Sequence, residues 1–502
     1  MKNLLLIFTL ALSAAGVRAA LPSPDLVAQI HFAGAQKISA YVRFSAFTNE
    51  FCSDEALALR TQTAEKLSVW LAGWLQKNLT TTVAGGAAKL RPLFDDLQSA
   101  EWFLESRAAA GGPAEVALVI KLDAARASFW SANLKPFFPA ATFKLSGGWL
   151  IFDSGTGAEK LGDALAQKVS APANGWLSVD VNWPRLGQWF PQLKELELPE
   201  TQLAVTAPDA NLHVDGKFFF PEKLSLNLED WRLPTNALHQ PFVSFTAVRG
   251  FAAWLKTQPW AQAYQISPAP QQAFVWALPG VPFQSFFALP VPDAAAALNQ
   301  EYARLEPVFS ATNAAEGSLF KFSLLQTNDE ITLLGVPMLA PYLRAVKGPS
   351  GQYLFGGAFP NTPRGKPLPP ELFQRLAIKN LVFYHWEITA ERFPGALQLS
   401  QLGLLMSQHR QVDGNSTAFK WVAKIAPTPG NTDTEIVQSA PDQFTFTRKA
   451  PGGFTAVELL ALANWLEAPD FPGCNLKLPP PSERLKKLRQ KNSPAPFMPV
   501  PK

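Results

Sequence analysis

Residues 142–168 read TFKLSGGWLIFDSGTGAEKLGDALAQK. Apolar residues up to Leu145, the pair Gly147-Gly148 and a second apolar run from Trp149 describe two strands joined by a tight turn, because two-residue hairpin loops need residues that tolerate positive φ. Thr156, with Glu159 three residues on, then opens a helix. The two side chains can each satisfy a backbone N–H that the first helical turn leaves unpaired.

The same order of elements returns twice. Residues 435–466 read EIVQSAPDQFTFTRKAPGGFTAVELLALANWL. There Phe444 and Phe446 alternate with Thr445 and Thr447, the period of a half-buried strand. Pro441-Asp442 supplies the turn before it, and Thr455 with Glu458 forms a second capping box. Val457, Leu460, Ala461 and Trp465 fall near one helical face. Residues 319–346, LFKFSLLQTNDEITLLGVPMLAPYLRAV, give the middle copy, with Pro337 read as the first residue of its helix.

Each hairpin has a strand and a helix ahead of it: Val116–Leu122 then Ala124–Leu134, Phe283–Leu289 then a helix capped by Asp293, and Leu381–Ile388 then a helix to Met406. Strands at Trp176–Val181 and Tyr353–Phe355 close two of the units. This is the split βαβ order. The expected fold is therefore α+β: tandem split-βαβ (ferredoxin-like) units, with mostly antiparallel sheets covered by helices. Boundaries fall at 1–19 (signal peptide), 20–112 (a helical and strand region), 113–182 (first unit), 183–270 (an inserted hairpin and connecting region), 271–360 (second unit), 361–474 (a third, partial unit) and 475–502 (a basic, proline-rich tail). Asp54–Leu79 is the longest helical pattern, and its Trp70 and Trp74, four residues apart, are read as core packing.

Composition separates the body from its ends. Of the net +4, +6 resides in residues 475–502 and +2 in residues 1–19, so residues 20–474 carry −4. A slightly acidic body gives no electrostatic basis for nucleic-acid binding, and none is expected. Met1–Ala19 has a charged start, a short apolar run and small residues Val17 and Ala19 before a cleavage point, the form of a secretory leader. Export to the periplasm or outside the cell follows, with no membrane-spanning segment after cleavage. The tail is suited to contact an anionic surface, or to remain a solvated extension. Export also permits a disulfide, and Cys52 and Cys474 are the candidate pair, with two unpaired thiols as the alternative.

The search for chemistry returns little. None of the five histidines has a partner at metal-ligand spacing, and no nucleophile elbow is present. No metal and no cofactor is expected. His385 and Glu387 share one side of a predicted strand and are the candidate acid–base couple, with a structural role as the alternative. Ser154, Gly155, Thr156 and Gly157 form the candidate anion-binding loop, although helix capping accounts for the same residues. The 37 Phe and 15 Trp mark strands that are apolar on both faces and covered on both, by helices as the default.

The pattern GGWLIFDSG followed by AEKLGDAL, with PFVSFTAVRG (241–250) and FVWALPGVPFQSFFALPVPD (274–293), resembles a loose group of exported, uncharacterised bacterial proteins common in planctomycete- and verrucomicrobia-like genomes. The resemblance implies export and repeated units, and no activity. The expected function is non-catalytic binding or scaffolding in the periplasm or envelope, with an envelope protein or polymer as partner. The alternatives are a carrier of an apolar, lipid-like ligand and a hydrolase whose site is assembled from distant residues.

Overall fold

Period-two alternation and turn chemistry account for most of the strands. The structure, a computed structural model, describes residues 25–35, 37–38, 52–79, 83–108, 115–154, 158–169, 175–188, 190–194, 197–209, 211–258, 269–280, 284–313, 321–336, 339–359, 365–406, 414–427 and 430–473. The leader, Gly155–Gly157, Cys474 and the basic tail lie outside them.

The chain begins β1 (Leu26–Phe32), α1 (Asp54–Leu79), α2 (Gly86–Ser99), β2 (Trp102–Arg107), β3 (Glu115–Lys121), α3 (Ala124–Leu134), β4 (Thr142–Ser146), β5 (Trp149–Ser154) and α4 (Ala158–Val169). It continues through β6 (Leu177–Val181), β7 (Glu200–Thr206), β8 (Leu212–Phe219), β9 (Ser244–Arg249), β10 (Gln272–Ala277), β11 (Ser285–Val291) and α5 (Ala294–Asn313). Then come β12 (Ser323–Gln326), β13 (Glu330–Leu334), β14 (Tyr342–Gly348), β15 (Gly351–Gly357), β16 (Leu381–Ile388), α6 (Thr389–Met406), α7 (Thr417–Ile425), β17 (Asn431–Ala440), β18 (Gln443–Ala450) and α8 (Ala456–Leu466). The fold is α+β and its sheets are antiparallel. The chain divides into two units, Met1–Ser225 with Lys379–Cys474, and a second built on Leu226–Ile378.

In the first unit the strand order is β4-β5-β3-β2-β1-β6-β7-β8-β18-β17-β16, every pair antiparallel. Gly147 and Gly148 turn β4 into β5 with φ of 57° and 80°, the left-handed pair that a two-residue hairpin requires. β5 lies between β3 and β4, so the first half of a split βαβ is present. The rest departs from the ferredoxin-like expectation in two ways. The strand that should close the unit, β6, is separated from β3 by β1 and β2. And α3 and α4 sit on opposite faces of the sheet: Trp130 of α3 packs with Leu118, Ile120, Leu150 and Phe152, whereas Leu161 and Leu165 of α4 pack with Ala117, Val119 and Ile151. β5 is apolar on both faces, so it needs a helix over each.

One face of this sheet, here the helical face, is also covered by α1, α2 and α6–α8. Long α1 serves two clusters. Ala56 and Leu59 join Trp421 and Val422 of α7 and Leu459 and Ala463 of α8, while Leu75 joins the group around Trp130. Trp74 packs there and stacks on Phe190, ring centroids 5.7 Å apart. Trp70 departs from the expected core role and is 37% exposed.

The second unit has the order β9-β10-β11-β15-β14-β13-β12, again antiparallel. Asp293 caps α5 as expected, accepting the N–H of Ala296 at 3.1 Å. Leu298 of α5 packs on Ile331 and Leu354. The helix expected after Pro337 is replaced by β14. Pro337 and Met338 are outside the described residues, but Leu343 and Ala345 alternate toward α5, which is strand spacing. The opposite face carries Phe245, Phe274, Trp276, Phe286 and Phe355, all buried. Its observed cover includes extended chain rather than helix: Trp231 lies 5.9 Å from the Phe274 ring, and the Leu233 carbonyl accepts the Tyr353 hydroxyl at 3.1 Å. Leu224–Leu228, within the connecting region, is irregular.

Candidate functional site

Alternation puts His385 and Glu387 on one face of β16, and that is the helical face. His385 Nε2 is 3.3 Å from Glu387 Oε2. Glu387 Oε1 accepts the Thr389 hydroxyl at 2.7 Å and the backbone N–H of Ala456, the first residue of α8, also at 2.7 Å. Thr389 in turn meets Thr432 of β17 at 3.1 Å. One strand further, Arg448 of β18 donates to Thr434 at 2.8 Å and clamps Glu458 through two contacts of 2.9 and 3.0 Å. Glu458 and Thr455 complete the capping box read from the sequence. Helix α8 is thus held onto β16–β18 by carboxylates at its N-terminus, where the helix dipole favours them.

Glu387 is 1% exposed. Burial pushes its pKa up, but His385, the Thr389 hydroxyl and the Ala456 N–H outweigh burial and hold it below the usual carboxylate value. Burial lowers the pKa of Arg392 in α6, against the pull of Glu387. The couple is part of a buried structural network.

The other candidate groups are not assembled on the described residues. Ser154 ends β5, and the rest of its loop lies outside the description. Cys52 is exposed with a free thiol, and Cys474 lies outside the description. Among the described residues no three His, Cys, Asp or Glu side chains are grouped as metal ligands. No helix among them is long and apolar enough to cross a membrane.

What the sequence reading missed lies on the opposite face of the first unit's sheet. α4 covers one end of that face, and beyond it a polar row crosses five strands in register: Glu105 of β2, Gln29 of β1, Asp180 of β6, Gln202 of β7 and Lys217 of β8. Gln29 donates to Glu105 at 3.2 Å, and Gln202 donates to Asp180 at 3.1 Å. Glu105, 1% exposed, is matched by Arg107 and by Lys168 of α4 at 2.6 and 2.9 Å. A parallel row two residues on runs Phe103, His31, Ser178, Ala204, Asp215, Thr447. His31 stacks on Phe103, centroids 3.9 Å apart, and meets Glu101 at 3.2 Å. Burial lowers the His31 pKa, against Glu101 and with Lys37 adding to the lowering.

Two carboxylates at the centre of this face are displaced from their ordinary titration. Burial, and then the charge of Glu200, push Asp180 up to about 6, against the Gln202 hydrogen bond. Burial raises Glu200 too, against Arg185 and the Asn182 side chain. Each contributing residue comes from a different strand or turn, so no local motif announces the row. Chemically it is a half-exposed array of amides, carboxylates, hydroxyls and one ammonium.

No protein-family model, curated protein or solved structure matches the chain.

Proposed function

We propose that the chain is an exported, non-catalytic binding protein of the periplasm or cell envelope, and that it takes a hydrophilic envelope polymer across the open face of its first unit's sheet. The observation that carries this reading is the in-register row Gln29–Asp180–Gln202–Lys217, which continues across the sheet from buried Glu105. Strands lie about 4.8 Å apart, so the four strands beyond buried Glu105 space hydrogen-bonding groups over roughly 15 Å, the reach of a few residues of a polymer. Asp215 and Thr447, directly opposite one another on β8 and β18, widen the exposed part of the face.

Two further features support non-catalytic binding. Glu387, the carboxylate of the sequence-derived acid–base couple, is committed to anchoring α8. The rings of the second unit contact each other, Trp276 with Phe286 at 5.9 Å and with Phe355 at 5.5 Å, which favours internal packing over carriage of an apolar ligand.

Co-sedimentation with purified peptidoglycan sacculi tests the reading. The full chain should pellet with sacculi, and Asp215→Arg with Thr447→Arg, both at exposed positions, should abolish pelleting while leaving the circular-dichroism spectrum unchanged. A wild-type chain that stays in the supernatant, or a double variant that pellets equally, overturns the proposal.

A further inference from the structure

Asp180 is an anion with half of its hydrogen-bonding capacity unused. Oδ2 accepts from Gln202, but Oδ1 is buried and has no hydrogen-bond partner. A buried unpaired oxygen on a charged group is costly, because the water it gave up has not been replaced.

The groups around it do not supply the missing partner. On β7 it faces Gln202 and the like-charged Glu200. Across β1 it faces Gln29, whose amide nitrogen is turned to Glu105 on β2. The cations near Glu105, Arg107 and Lys168, are engaged by that carboxylate. After β6, Asn182 donates to Glu200 at 3.2 Å, and Arg185 donates to the Leu26 carbonyl at 3.3 Å and acts electrostatically on Glu200. On β8, Lys217 stands opposite Gln202, one strand beyond. On β1, His31 is turned to Glu101. Among the described residues no cation contacts Asp180.

We propose that Asp180 is a proton-operated latch on the β1–β6–β7 seam: protonation gives it a donor directed at Gln29 or Glu200 and ends the repulsion from Glu200, tightening the seam, and loss of the proton loosens it. This inference is independent of what the open face binds.

The displaced titration agrees in sign. The folded-state pKa, about 6, lies above the ordinary 3.8, so the folded chain holds a proton that the unfolded chain has released between those values. The stabilisation is full below the ordinary value and is lost as pH rises through about 6.

Hydrogen exchange on the full chain at pH 5 and pH 7.5, corrected for intrinsic rates, tests the latch. Two pKa units correspond to a hundredfold at most, and the partial exposure of Asp180 reduces this to about tenfold. Amides of β1, β6 and β7 should therefore lose about tenfold protection at pH 7.5, those of β14 and β15 should not, and Asp180→Asn should erase the difference. Carbon-13 NMR of the Asp180 carboxyl should titrate near pH 6, and Glu200→Gln should move that midpoint down. A midpoint below 4.5 in the wild type, or the same exchange response in Asp180→Asn, overturns the proposal. If Asp180→Asn does not fold, the wild-type midpoint and its response to Glu200→Gln decide.

Discussion

Glu387 on β16 accepts the backbone N–H of Ala456 at 2.7 Å, so a strand carboxylate occupies the end of the α8 helix dipole. Replacing Glu387 by Ala removes the carboxylate that accepts the Ala456 N–H and the Thr389 hydroxyl and that acts electrostatically on Arg392. Losing one member of a buried charged network costs about 3–5 kcal/mol. Urea unfolding should show that loss in Glu387→Ala. His385→Ala should cost less, because the Ala456 N–H and the Thr389 hydroxyl still hold the Glu387 carboxylate.

The pH dependence of stability should be two-sided. The Glu387 pKa is held below its ordinary 4.5, so its stabilisation is present above that value and is lost as pH falls through the folded-state value. Asp180 acts in the opposite direction, its contribution fading as pH rises through about 6. Melting temperature should therefore pass through its maximum below about pH 4.5, the ordinary Glu387 value, because above it only the Asp180 contribution still changes, and it falls. Glu387→Gln should flatten the acid limb alone, and a single monotonic curve in the wild type would contradict both assignments.

Gly356 on β15 lies directly across from Phe287 of β11. A Cβ at Gly356 would fall 2.5 Å from the Phe287 ring and 3.0 Å from Leu343. The ring occupies the space a side chain would need, so Gly356→Val should destabilise the chain by about 1–3 kcal/mol. Phe287→Ala in the same background should recover part of that loss in chemical denaturation.

Gly148, at φ 80°, meets no atom that a Cβ would strike. The cost of Gly148→Ala is therefore conformational alone, about 1 kcal/mol. Gly147→Asn should be close to neutral, since Asn is favoured at the first position of this turn. Thermal melts of the two variants should differ by about 1–2 °C.

The legible parts of the fold were those with local signals. The turn at Gly147-Gly148, the caps at Asp293 and Thr455, and the alternation of Phe444 and Phe446 all lie within a few residues of the structure they specify. The middle helix failed because Pro337 was read as a helix start. The run Tyr342–Val346 also alternates, and the turn at Gly348–Gly351 marks it as half of a hairpin with β15. Which faces α3 and α4 would cover was not legible, because both faces of β5 are apolar and the choice depends on distant α1 and α2. The polar row was hidden for a related reason. Gln29, Glu105, Asp180, Gln202 and Lys217 are ordinary surface residues until the strand order aligns them. His385 and Glu387 were found by their spacing, but only β17 and α8 show what they hold.

Helix α1 reaches from Leu59 in one hydrophobic mass to Leu75 in another, a span of about 24 Å along a single rigid rod. Neither mass can come apart without unwinding the rod they share. Heat or denaturant should therefore dismantle both at one midpoint, and a proline placed midway along α1 should uncouple them into two.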